Sequence, residues 1–211
     1  MSTAIGRTIV SSGLSVALAL GAIAMSTTAT AAQGRNADGV PTGWIARGDH
    51  PQDYRMSVDR SMIRDGHPSA RITSIASQPS GFGTLMQQMA ADNFRGRRIR
   101  FSGNVMARDV SGWTALWMRV DGRANEMLGF DNAQERALHG TADWKHFEVV
   151  LDVPGNAEGI AFGALLAGGG TAWISGLNFE IVPPSIPLTG KASGGGRKSA
   201  PVNLDFAADS H

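Results

Sequence analysis

Apolar residues in the middle of this 211-residue chain return at every second position, in runs of four to eight residues punctuated by turn formers. That period is the side-chain repeat of a strand, not of a helix. Ile99, Phe101, Val105 and Ala107 alternate with Arg98, Arg100, Ser102 and Asn104. Phe147, Val149, Leu151 and Val153 do the same against His146, Glu148, Val150 and Asp152, and Ile160, Phe162, Ala164 and Leu166 against Ala161, Gly163 and Leu165. Ala172, Ile174, Phe179 and Ile181 flank a break at Ser175-Gly176, the signature of a β-bulge. Further strands are expected near 54–58, 69–75, 83–89 and 113–121, with Leu85–Phe94 running from strand into turn. Asp65-Gly66, Asp121-Gly122, Pro154-Gly155-Asn156 and Gly168-Gly169-Gly170 separate them. The 27 glycines, nearly twice the usual share of about 7%, fit a turn-rich β protein. The pattern predicts an all-β, two-sheet antiparallel β-sandwich of jelly-roll type in a single domain.

The first 31 residues carry one charge, Arg7, and an apolar run from Val16 to Met25. Ten apolar residues span about 15 Å as a helix, half of a bilayer core, so a membrane-spanning helix is not expected. Ala29-Thr30-Ala31 supplies the small residues of a cleavage site, and residues 1–31 read as a secretory signal. The expected organisation is that signal, a polar segment 32–43, a jelly-roll domain 44–182 and a flexible Pro/Gly/Ser-rich tail 183–211. The expected location is periplasmic or secreted, with no transmembrane anchor after signal removal. There is no cysteine, so neither a disulfide nor a lipid-bearing cysteine supports the fold.

Without Arg7 the chain carries 18 basic and 18 acidic residues. No global field steers it toward nucleic acid, which is not an expected partner. Arg95, Arg97, Arg98 and Arg100 read as a solvated strand face with an edge-protecting role. The five histidines fall in no zinc-protease spacing, and no nucleophile elbow or phosphate loop occurs. Asp49-His50 and Asp53 form the densest titratable cluster, for which a polar loop is sufficient explanation. No catalytic residue, metal ligand or cofactor is identified.

The segment Gly112–Gly122, GWTALWMRVDG, carries the binding argument. As a strand it places Thr114, Leu116, Met118 and Val120 on one face, and Trp113, Ala115, Trp117, Arg119 and Asp121 on the other. The first makes a core face. The second ends in two charges that are costly to bury unless paired, so it is expected to be partly wet. Trp113 and Trp117, about 13 Å apart along a strand, are flat apolar plates for the C–H faces of a sugar ring. Arg119 and Asp121 would bond its hydroxyls, or else arginine stacks on tryptophan and pairs with Asp121 or Asp131. Asp131, Asn132 and Gln134, beside Leu128 and Phe130, supply either further hydroxyl-binding groups or simple turn chemistry. Gln87 is a candidate for the same groove. Ala161 and Gly163 either leave room for a ligand or permit close strand packing. Trp44, Trp144 and Trp173 read as seals of the core or its rims.

The order of segments resembles the β-jelly-roll carbohydrate-binding modules of the galactose-binding-like superfold. The pieces are Pro41-Thr42-Gly43-Trp44, His67–Ile72, Gly96–Gly103, Trp144 leading into Phe147–Pro154, and Ala172-Trp173-Ile174. Phe82–Gln87, Gly112–Gly122 and Phe130–Gln134 also resemble a bacterial domain found alone or attached to transcription regulators; the export signal argues against carrying over that regulatory role. Such modules often hold an acidic residue, sometimes near calcium, where this chain has Ser175-Gly176, so the resemblance does not extend to calcium. They also often begin with an Asn-Leu-x-Phe-like strand. Here Asn203-Leu204-Asp205-Phe206 lies at the other end, so Val202–Phe206 would be an added strand or a chance match within the tail.

The expected function is that of an exported, non-catalytic binding protein for a carbohydrate or similar polyhydroxylated ligand. The alternative is a structural or protein-interaction module of the cell envelope with an envelope protein as partner. A small enzyme on a jelly-roll scaffold stands third.

Overall fold

The computed structural model describes residues 39–190; the signal segment, residues 32–38 and the Val202–Phe206 strand lie outside them. The strands are β1 Ile45–Gly48, β2 Tyr54–Arg64, β3 His67–Ser74, β4 Phe82–Ala90 and β5 Arg97–Asp121. They continue with β6 Met127–Asp131, β7 Leu138–Val153, β8 Gly159–Ala167 and β9 Thr171–Val182. Four single-turn 3-10 segments join them, and among the described residues there is no α-helix.

β5 is one continuous strand of 25 residues, where the sequence pattern suggested two. Its first half pairs with β9 on one side and β7 on the other, its last third with β8 and β6. Between these lie register shifts at Val105–Thr114 and Asp109 in the left-handed region, φ 54°. Two antiparallel sheets result, β1-β4-β8-β5-β6 and β2-β3-β9-β5-β7, joined through the bend in β5. The expected bulge in β9 is present: between Asn178 and Ser175 the chain gains length against Ser102 and Asn104, and Gly176 takes φ +61°. Asp65 and Gly66, both at positive φ, make the tight β2–β3 turn.

Aromatic contact between the sheets identifies the inner faces. The Phe162 ring of β8 lies 4.9 Å from Phe101 and 4.9 Å from Phe179, while Trp44 meets it edge-on at 6.3 Å. Leu116, Met118, Val120, Leu85, Ile72 and Val105 are buried with them. Burial of this apolar surface is the main stabilising term, at about 25 cal/mol per Å².

The outer face of the second sheet is polar. Arg98 forks onto Asp152 (2.7 and 2.9 Å), and Arg100 reaches Glu180 (2.8 Å) and Glu148 (3.2 Å). These arginines are indeed on an outward face, but β5 is central in its sheet, so the edge-protecting role is corrected to ion pairing across neighbouring strands. Trp173 lies on this face, buried rather than sealing the interior, with Arg108 over its ring at 5.6 Å. Its indole N–H donates to Asp59 at 2.9 Å. Together with the Ser61 hydroxyl and amide, that bond holds the Asp59 carboxyl well below the usual range, at about 2. A depressed carboxylate contributes stability above its unfolded value that is lost as pH falls through the folded one. Asp59→Asn should therefore flatten the acid limb of urea-unfolding midpoints between about pH 5 and about pH 2, and cost about 1–3 kcal/mol at neutral pH.

Candidate functional site

The face division predicted for Gly112–Gly122 is the one observed. Met118 pairs with the inward Phe162, and Trp117 with Gly163 on the outer face of the first sheet. The expectation that this face is partly wet holds at its charged end, where Arg119 and Asp121 keep some exposure, and is corrected at its two tryptophans. Trp117 is 1% exposed and Trp113 6%, and Thr84, Ala115 and Leu165 around them are buried. The polar part of Trp117 needs no solvent: its Nε1–H donates to the Thr84 hydroxyl at 2.8 Å, which donates in turn to the Ala164 carbonyl at 2.7 Å. Neither indole is an open platform. Gly163 follows the close-packing explanation, since a Cβ there would sit 2.2 Å from the Leu85 carbonyl oxygen of β4.

The charged end of the face is only partly closed. Arg119 and Asp121 keep 12% and 16% of their side chains exposed. Arg119 Nε lies 2.8 Å from Oδ1 but is directed at Oδ2, to which it donates at 3.0 Å; buried Oδ1 receives no hydrogen bond. Burial raises the Asp121 carboxyl above its usual range, and Arg119 opposes that rise. Among the described residues, no group accepts a hydrogen bond from the terminal nitrogens of Arg119. The strand register places Ala161, Phe130 and exposed Gln88 on the same outer face. Gln87, proposed from sequence for this groove, instead pairs with Phe162 and has the opposite parity.

Asp131, Asn132 and Gln134 come together beyond the end of β6. With Phe130, Glu135, Arg136, Thr189 and Gly190 they line a cleft of 290 Å³. Asp131, 8% exposed, is anchored by Arg136 at 2.6 Å and by the Ala133 amide at 2.7 Å. It therefore fixes the cleft wall. Asn132 accepts from the Gln134 amide at 3.1 Å, and its own amide donates to the Gln134 side-chain oxygen at 3.3 Å. The turn chemistry expected of these residues is thus real, and it presents two carboxamides in a cleft that Phe130 also lines. Phe130, register partner of Arg119, ties the cleft to the Arg119–Asp121 end of the sheet.

Arg136, Glu135, Thr189 and Gln88 were not singled out from sequence. Arg136 follows Asp131 by five residues in a 3-10 turn and carries no periodic signal; Thr189 comes from a segment expected to be tail. A second cleft, of 330 Å³, opens between the sheets at Trp44, Val58, Ala70, Leu85, Ile174 and Leu177, with apolar walls. Asp49 and Asp53 do loop work, accepting the Phe82 amide at 2.6 Å and the Ser80 amide at 2.9 Å. Among the described residues, no three acidic or histidine side chains gather as a metal site.

No family model matches the chain. Over 165 residues it is 40% identical to the uncharacterized HTH-type transcriptional regulator YbfP of Bacillus subtilis (strain 168), covering 78% of this chain and 56% of the regulator. The CBM22-1–CBM22-2 tandem domain of Paenibacillus barcinonensis Xyn10C superposes with TM-score 0.50 at 12% identity, over 69% of this chain and 43% of that one. The enzymatically active domain of bacteriophage CBA120 tailspike protein 4 gives TM-score 0.50 at 9% identity, over 67% of this chain and 20% of that one. The chain thus spans about half of the regulator it matches. Its β-sandwich has the fold of carbohydrate-binding modules.

The Trp117–Thr84–Ala164 chain predicts the behaviour of one variant. Thr84→Val, nearly isosteric, should leave a buried indole N–H unpaired and cost about 1–3 kcal/mol in urea unfolding, with a shift in tryptophan emission.

Proposed function

We propose that this chain is an exported, non-catalytic binding protein for a polyhydroxylated ligand, a carbohydrate first of all. The observation that carries the reading is the cleft at the end of β6. It combines Phe130 with two carboxamides, two carboxylates, a guanidinium and a hydroxyl, in a space of 290 Å³. A sugar offers the complementary surface: apolar C–H faces for the ring, and hydroxyls that both donate and accept. Asn132 and Gln134 meet those hydroxyls, Glu135 accepts from them, and Arg119 and Asp121 extend the polar surface along the sheet. The Asp131–Arg136 pair holds the wall. Export rests on the cleavable signal read in residues 1–31.

The similarity to a transcriptional regulator fits the same reading if the shared segment is the regulator's ligand-binding part. Recognition of DNA by a helix-turn-helix requires helices, and the described residues contain none of that kind. A second reading, an interaction module of the cell envelope, draws on one observation: Trp117 and Trp113 are buried instead of forming an open platform.

A glycan array with the mature chain separates the two. Binding of a neutral or acidic glycan is expected, and Asn132→Ala with Gln134→Ala should weaken it at least about tenfold, or about 1.4 kcal/mol, with the fold retained and only a small fall in melting temperature from the lost turn bonds. Affinity that survives the double variant removes the cleft as the site. Silence across the array leaves the envelope module. Amino-terminal sequencing of the exported protein is expected to begin at Ala32 or Gln33; retention of residues 1–31 would contradict export through a cleaved signal.

A further inference from the structure

The cleft is completed by a segment that the sequence pattern assigned to the flexible tail. Residues 183–190 are instead seated across the flank formed by the two edge strands β7 and β6. A turn closes from the Ile186 amide to the Pro183 carbonyl at 3.0 Å. Thr189 then behaves as a strand partner: its amide donates to the Val150 carbonyl at 3.1 Å, and its hydroxyl accepts the Val150 amide at 2.7 Å. Gly190 lies so close to β6 and β7 that a Cβ would sit 2.6 Å from the Phe130 carbonyl oxygen and 2.6 Å from Leu151 Cδ2. The segment is a strap from one sheet to the other, and its end lines the cleft.

One side chain outside the cleft holds the strap. Arg98 uses Nε and Nη2 on the Asp152 carboxylate, which fixes the plane of its guanidinium. Its remaining nitrogen, Nη1, donates to the carbonyls of Pro184 at 2.6 Å and Ile186 at 2.5 Å. Two carbonyls of a turn on one charge-assisted donor make a directional anchor that lysine, a single ammonium without a planar fork, reproduces only in part.

We propose that Arg98 is a positioning residue of the cleft: by clasping Pro184 and Ile186 it seats the strap whose Thr189 and Gly190 complete the binding wall. Nothing in this role requires Arg98 to touch the ligand. The consequence for binding rests on the reading of the cleft given above; the consequence for the cleft's geometry does not.

The experiment separates these levels in the full-length mature protein. In Arg98→Ala, the Ile186 and Thr189 amides are expected to exchange with deuterium at least tenfold faster, while amides in β8 and the melting temperature stay unchanged. The Asn132 and Gln134 side-chain amide signals in nitrogen-correlated NMR spectra should shift with no ligand present. Arg98→Lys should restore part of the protection. Gly190→Ala, which leaves Arg98 intact and unseats the strap by collision with Phe130 and Leu151, should produce the same NMR shifts. For a glycan found on the array, both alanine variants should weaken affinity at least fivefold. Unchanged exchange at Ile186 and Thr189, or unshifted Asn132 and Gln134 signals, would overturn the proposal. So would full glycan affinity with the strap released. If no glycan binds at all, the functional reading fails, and the NMR shifts still decide whether Arg98 positions the cleft.

Discussion

Everything in this molecule is arranged around the hydrogen-bonding demands of β5. Every backbone N–H and C=O of a buried strand needs a partner, and β5, 25 residues long, finds strand partners in two sheets, on both edges through most of its first half and again near its end. The bend near Asp109 turns the partner strands of one half over those of the other, so that Phe101 on the first half and Met118, beside Phe162, on the last third face a common interior. The position of the candidate site follows from the same strand. Its last residues, Arg119 and Asp121, emerge where β6 pairs with them, and the cleft lies just past the end of that short partner.

The charges sort by depth. Arg98, Arg100 and their carboxylate partners occupy the outer face of the second sheet, where ion pairs of this kind each contribute little. Asp121 and Asp131 are more deeply placed, each beside one arginine, and their desolvation offsets much of the attraction. Such pairs are poor sources of stability but good determinants of geometry. Asp131 in particular fixes where Arg136 and the Ala133 amide lie, and with them the shape of the turn that presents Asn132 and Gln134.

Much of the fold could be read from residues alone because alternation is a local property. Ile99 to Ala107, Phe147 to Val153 and Ile160 to Leu166 announced their strands, Ser175-Gly176 its bulge, and Gly112–Gly122 its two faces. The site was less legible because its state depends on residues distant in sequence. Trp117 is closed, in part, because Thr84, 33 residues earlier, takes its N–H. Arg119 and Asp121 pair with one another at the end of the strand, so their charge did not keep the neighbouring indoles wet. Strand parity excluded Gln87 and brought in Gln88. β6, five residues with a central glycine, gave too little pattern to be recognised, and Thr189 belongs to the strap because of carbonyls that Arg98 happens to reach.

The two ends of the described chain lie on opposite flanks. Gly39 comes in beside β2, accepting the Val58 amide, whereas Gly190 departs between β6 and β7. In the second sheet those flanks are separated by four strand spacings, about 19 Å. The points where the chain enters and leaves the described sandwich are thus on different sides, and a pull applied at Gly39 and Gly190 would be borne across the sheets instead of peeling away a single hairpin.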